Sequence, residues 1–232
     1  MRSSIVLWMA FLLSVNVWAQ EGEIPPPPPR DLSNVNLIDY IKEVQIWGKD
    51  GNDMDLSFWL PNNYWEIALK DNPDVPREVI DQLSLAFEDY VVICALSMKV
   101  SNSGKTDFID EQAIFNSMSI AVGEKKYRPL TEDAIGEEAK MVTEMIRPMF
   151  AQMLGQMGEG MYFYFFKIQD ENGKNLIDVY SDGQFVVHHS DKSFEYSLPI
   201  SSLLPNKICP EDGGFMKGNW SFCPFHGTAL KK

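Results

Sequence analysis

The stretch TEDAIGEEAKMVTEMIRPMFAQMLGQMGEGMYFYFFK, residues 131–167, decides how this chain is read. Methionine recurs at every fourth position, as Met141, Met145, Met149, Met153, Met157 and Met161. Four residues turn an α-helix by about 400°, so each step drifts only about 40° and the first five methionines share one broad face. Val142, Ile146 and Phe150 fall on or beside that face, whereas Lys140, Glu144 and Arg147 point away from it. The pattern predicts a long amphipathic helix capped by Thr131, with the methionines as flexible filler on its buried side. Pro148 removes a backbone donor and predicts a kink in the turn before it. Gly155, Gly158 and Gly160 end the helix, and the aromatic run from Met161 to Phe166 has the density of a buried central strand.

Upstream of this core, a short helix is expected over 37–42. Strands over 44–47 and 54–60 join at Asp50-Gly51, a hairpin turn rather than a calcium loop, because the acidic cluster 49–55 lacks EF-hand spacing. Helices follow from Pro61-Asn62-Asn63 and from Pro76. Tyr90 to Val100 is a nearly continuous apolar run, the signature of a strand covered on both faces. Asp110 is placed to cap a short helix, and 118–122 pairs with 126–130 across Gly123-Glu124. Downstream, 176–180, 184–189 and 194–198 form a three-stranded meander with turns at 181–183 and 190–192. Helices grouped before and between antiparallel strands give an α+β class, an antiparallel sheet packed against the long Met-rich amphipathic helix, in a domain spanning 37–205.

The N-terminus is set apart from that domain. Arg2, the apolar run from Ile5 to Val17 and the small residue at Ala19 read as a secretory signal peptide, residues 1–19, cut before Gln20. Residues 20–36 form a Pro-rich linker in which Pro25 to Pro29 adopt extended polyproline II. The expected location is secreted or periplasmic. A formal net charge of −13, more negative still once Arg2 is removed, repels phosphate backbones and anionic lipid. Nucleic acid is therefore excluded as a partner, and no membrane association is expected after signal cleavage. Another protein is the partner class that remains.

The most specific pattern closes the chain. Cys209-Pro210-Glu211-Asp212-Gly213 is echoed by Cys223-Pro224-Phe225-His226-Gly227, two copies of one Cys-Pro-x-x-Gly turn. Each copy places metal-ligating chemistry first and fourth, with proline fixing the backbone and glycine free to take positive φ. The residues between them, 215–222, are long enough for a small hairpin. Segment 207–230 resembles a zinc ribbon, a resemblance that does not extend to the main domain. The resemblance implies a closed structural zinc held by Cys209, Asp212, Cys223 and His226, where the family carries cysteine throughout. A Cys209–Cys223 disulfide, favoured by an oxidising compartment, and a metal-free knuckle packed on Trp220 and Phe222 stand beside that reading. The tail 206–232 is accordingly expected to be a zinc-ribbon-like hairpin.

Elsewhere the chemistry is sparse. Cys94 lies among apolar neighbours and reads as a buried thiol, since a reactive one needs exposure and positive surroundings. His188 and His189 are consecutive on an expected strand and point to opposite faces, one packed and one wet. With the methionines they raise the idea of copper handling, set aside here because the methionines sit on the apolar side of the helix. No nucleophile elbow, zinc-protease helix or phosphate loop is present. The sequence thus points to a non-enzymatic exported protein with a protein-binding or structural role. An exported hydrolase with a dispersed active site and a copper or zinc handling protein are the alternatives.

Overall fold

The structure is a computed structural model and describes residues 28–230; the expected signal peptide and most of the proline arm lie outside the described residues. The first helix, α1 (Leu37–Val44), starts at Asn36, whose side chain accepts the Asp39 N–H. Strands β1 (Gln45–Asp50) and β2 (Asp53–Leu60) then pair as a hairpin around Gly51. Helices α2 (Tyr64–Leu69) and α3 (Arg77–Ala86) follow, the second opened by Pro76. Next come β3 (Tyr90–Val100) and β4 (Thr106–Phe108), then α4 (Glu111–Ser117), which Asp110 caps by accepting the Ala113 N–H. A hairpin, β5 (Ser119–Val122) and β6 (Lys125–Tyr127), precedes the long helix α5 (Glu137–Leu154) and the single turn α6 (Gln156–Glu159). The chain finishes with β7 (Tyr162–Lys167), β8 (Gly183–His189), β9 (Lys192–Leu198), β10 (Lys207–Ile208) and β11 (Phe215–Met216).

These elements build an α+β architecture of antiparallel sheets. In the five-stranded sheet β3 is central, with β2 along one side and β4 and β7 in tandem along the other. The four-stranded sheet has the order β6-β5-β8-β9. Alternation along β2 explains the layering, since neighbouring side chains face opposite ways. Phe58 points to the helices and meets Tyr64 and Phe150. Trp59 points to the second sheet, edge-on to Phe185 and Tyr196, which stack on each other with ring centroids 4.7 Å apart. Tyr196 Oη also donates across the layers to Ser57, 2.8 Å away. With both faces covered, β3 buries Val91 to Leu96 without a break, which is why its sequence does not alternate.

The long helix packs differently from the sequence expectation. Ala139, Val142, Thr143, Ile146 and Phe150 form its buried face, at the i, i+3, i+4, i+7 spacing of a helix laid on a core. Phe150 meets Phe58, Trp65 and Phe163 edge-on. Met141, Met145 and Met149 are 72%, 55% and 50% exposed, so the methionine stripe is not the packing face. One residue's rotation, about 100°, separates the two stripes; the core takes the branched and aromatic one. Met157 is half-buried and Met161 fully buried as the chain turns into β7. Thr131 does not cap the helix either, because a 3-10 turn at Glu132–Ala134 intervenes and Gly136 takes the cap position. The helix continues through Pro148 to Gly155, which reverses the chain at φ 59°.

Two further expectations are corrected. Residues 176–180 form no strand; β8 and β9 pair instead with the β5–β6 hairpin, so the four-stranded sheet draws on distant segments. The span 215–222 is not a hairpin, since β11 pairs back onto β10. Arg30 links the start of the described chain to the segment that leads into β10. Its backbone N–H donates to Leu203 O at 2.8 Å, and its guanidinium donates to Leu204 O and Asn206 Oδ1, each at 2.9 Å. No helix among the described residues is long and apolar enough to cross a membrane.

Candidate functional site

The two Cys-Pro-x-x-Gly copies fold alike. In the first, Cys209 N–H donates to Gly214 O and Gly213 N–H to Cys209 O, both at 2.9 Å. In the second, Cys223 N–H donates to Thr228 O and Gly227 N–H to Cys223 O, both at 2.8 Å. Gly213 and Gly227 reverse the chain at φ 73° and 68°, a region that a side chain at Cβ disfavours. Each knuckle is thus the tip of its own small loop, the first flanked by β10–β11 and the second by the Phe222–Ala229 bridge.

Back to back, the tips bring ligand atoms together. One ligand atom each from Cys209, Cys223 and His226 lies within 4.8 Å of the others, so this group can hold a metal ion. His226 Nδ1 is 3.4 Å from Cys209 Sγ and 3.5 Å from Cys223 Sγ. Both cysteines are buried and neither is in a disulfide. Cys223, Cys209, Met216 and Leu230 form a small apolar cluster with Trp220 against it, separate from the main core. Phe222, expected to pack there, is exposed.

The electrostatics of the site match its donor types. Burial raises the Cys209 thiol. At Cys223 burial also acts upward, but the backbone N–H groups of Phe225 and His226 and the His226 ring outweigh it and leave the thiol lowered. His226 is raised, chiefly by its contact with Cys223. The Asp212 carboxyl is lowered first by the Gly214 N–H, which donates to it at 2.9 Å, and then by contact with Cys209. Asp212 thus touches Cys209 but is not among the three residues whose ligand atoms converge. Two thiols and an imidazole are the soft and borderline donors that zinc takes, and a carboxylate is a competent fourth.

The other sequence candidates fall elsewhere. Cys94 is fully buried in β3, and burial pushes its thiol well above the ordinary range, so it is an inert core residue. His188 is partly exposed and bonds Ser193 Oγ at 2.9 Å, while its neighbour His189 is buried and stacked on Phe194. Sequence reading missed where His189 leads: its Nδ1 is 3.4 Å from Ser97 Oγ on the other sheet. No spacing in the chain signals that approach, because Ser97 and His189 meet only when the sheets stack. No family model, no curated protein and no solved structure matches this chain.

Proposed function

We propose that residues 206–232 form a structural zinc knuckle of the zinc-ribbon kind, ligated by Cys209, Asp212, Cys223 and His226, in an exported protein that docks another protein through this tail. The convergence of the Cys209, Cys223 and His226 ligand atoms within 4.8 Å carries the reading. The knuckle also exposes Ile208, Phe215, Phe222 and Phe225, more apolar surface than so small a unit needs for its own folding. A metal locks such a module because its apolar cluster is too small to hold the loops alone.

Elemental analysis of the purified mature protein with a free-thiol count after denaturation tests the zinc. About one zinc per chain with three free thiols is the expected result. One free thiol and no metal identifies a disulfide and discards the knuckle. His226→Ala is expected to lower zinc occupancy by at least about tenfold, read by competition with a chromogenic chelator. N-terminal sequencing of the secreted product, beginning at Gln20, tests the export.

Exposure of Met141, Met145 and Met149 supports a second reading, copper handling, because soft thioethers on an open helix face suit Cu(I). Cuprous titration that leaves the thioether methyl signals unmoved discards it.

A further inference from the structure

The root of the proline arm and the C-terminal knuckle are pinned to one short segment. Arg30 is fastened to Leu203, Leu204 and Asn206 by its backbone and its guanidinium. The knuckle leans on the same segment, because Gly218 packs so closely that a Cβ there would lie 2.5 Å from Leu204 Cβ and 2.7 Å from Pro205 O. Ile208, two residues beyond Asn206, pairs directly with Phe215 across β10 and β11, so their side chains share one face of that small sheet. Next to them Met216 turns inward to the cluster around Cys209 and Cys223. Ile208 and Phe215 face outward, 58% and 76% exposed.

The chain that leads up to Arg30 has the length, shape and charge to cover that face. Signal cleavage before Gln20 leaves eight residues, Gln20 to Pro27, ahead of the described chain. In the polyproline II form expected of Pro25 to Pro29, at about 3.1 Å per residue, the five rings span about 15 Å, whereas Asn206 to Ile208 is about 7 Å of strand. Ile208 and Phe215 are therefore within the arm's reach. Polyproline II has no internal hydrogen bonds to lose and is stiff beforehand, so it packs its rings on an aromatic surface at little cost in conformational entropy. From Gln20 to Pro29 the only charges are Glu21 and Glu23, while the tail carries Lys207, Lys217, Lys231 and Lys232 against Glu211 and Asp212. An acidic arm thus faces a net basic tail, in a chain whose formal charge is −13.

We propose that Pro25 to Pro27 dock on the Ile208–Phe215 face of their own chain's knuckle, with Glu21 and Glu23 beside the tail lysines, as a resident occupant that a partner protein must displace. The displacement rests on the tail being the docking surface proposed above; the contact itself does not. The tether at Arg30 favours the chain's own arm over a second copy, since so short a link presents the prolines to the knuckle at an effective concentration on the order of millimolar. Phe222 and Phe225, which flank and follow Cys223, stay open in this arrangement. A partner therefore meets the second Cys-Pro-x-x-Gly turn first and gains the first one only as the arm leaves. The arm raises the affinity threshold for docking in this way without closing the surface.

Hydroxyl-radical footprinting of the full mature chain, read by peptide mass spectrometry, tests this. Phe215 and Phe225 are 76% and 77% exposed, so without an occupant the two rings oxidise at like rates and Phe225 serves as the internal standard. The expected result is slower oxidation of Phe215 and Ile208 in the wild type. Pro25→Ser, Pro26→Ser and Pro27→Ser together should abolish that protection and bring Phe215 to the rate of Phe225. Glu21→Lys with Glu23→Lys should weaken it. None of these positions belongs to either apolar cluster, so the substitutions leave the packed fold intact. Equal rates at Phe215 and Phe225 in the wild type overturn the inference, as does protection that survives either set of substitutions. Protection lost on dilution identifies a second copy as the occupant and overturns it as well. Zinc is assayed on the same samples: protection in a metal-free chain upholds the arm and discards the metal site, and bound zinc without protection does the reverse.

Discussion

Burial against Phe194 lowers His189 to about 4, a pull that the Leu56 backbone only partly opposes. The unfolded chain therefore takes up a proton near pH 6.5 that the folded chain refuses until about pH 4. The neutral ring's stabilisation is complete above pH 6.5 and is lost as the pH falls toward 4, at a cost of order 3 kcal/mol. Asp55 acts in the opposite sense: its carboxyl is raised by burial, so its charged form is penalised at neutral pH and relieved in acid. Urea melts from pH 7 to 4.5 should lose stability progressively, by less than the His189 figure alone, and His189→Gln should flatten the slope. At the same scale, dilute peroxide should convert Met141, Met145 and Met149 to sulfoxides well before the buried Met118 and Met161, as read by peptide mass spectrometry. The burial of Cys94 could be read from its apolar neighbours, and so could the opposed faces of His188 and His189. The link from His189 to Ser97 could not, because a contact between sheets leaves no mark on local spacing.

The elements themselves were largely written in local signals. Asn36, Asp110 and Pro76 mark the starts of α1, α4 and α3, and the unbroken apolar run predicts β3 from end to end. The long helix shows where such reading stops. Two adjacent apolar stripes, one of methionines and one of Val142, Ile146 and Phe150, both oppose the charges, and hydropathy alone does not choose between them. Packing chooses, because Phe150 fits among Phe58, Trp65 and Phe163, whereas an unbranched methionine loses little by staying in water. Phe150→Ala should therefore cost about 3–5 kcal/mol, and Met145→Ala less than about 0.5, by urea denaturation. The absent strand over 176–180 has a similar cause: β8 takes β5 as its neighbour, leaving that segment as a connection along the edge.

At the scale of the whole molecule, the described residues carry two apolar clusters that share no members, the main core and the small group around Cys209 and Cys223. Chelation should accordingly strip hydrogen-exchange protection from 207–230 while leaving β3 and β7 protected, with little change in the main thermal transition. The convergence of Cys209, Cys223 and His226 was legible in the sequence because all three lie within one short segment with a repeated turn. The cavity lined by Ser97 and Ser190 was not, because β2, β3, α4 and the turn between β8 and β9 each contribute one part of it. The clamp formed by Arg30 gives the arrangement a mechanical consequence. Three hydrogen bonds fasten the residue after the proline run to Leu203, Leu204 and Asn206, the short connection between the main core and β10. Load entering the chain at Arg30 is therefore shared at once with the segment that leads into the C-terminal tail, so the two distant parts of the chain yield together.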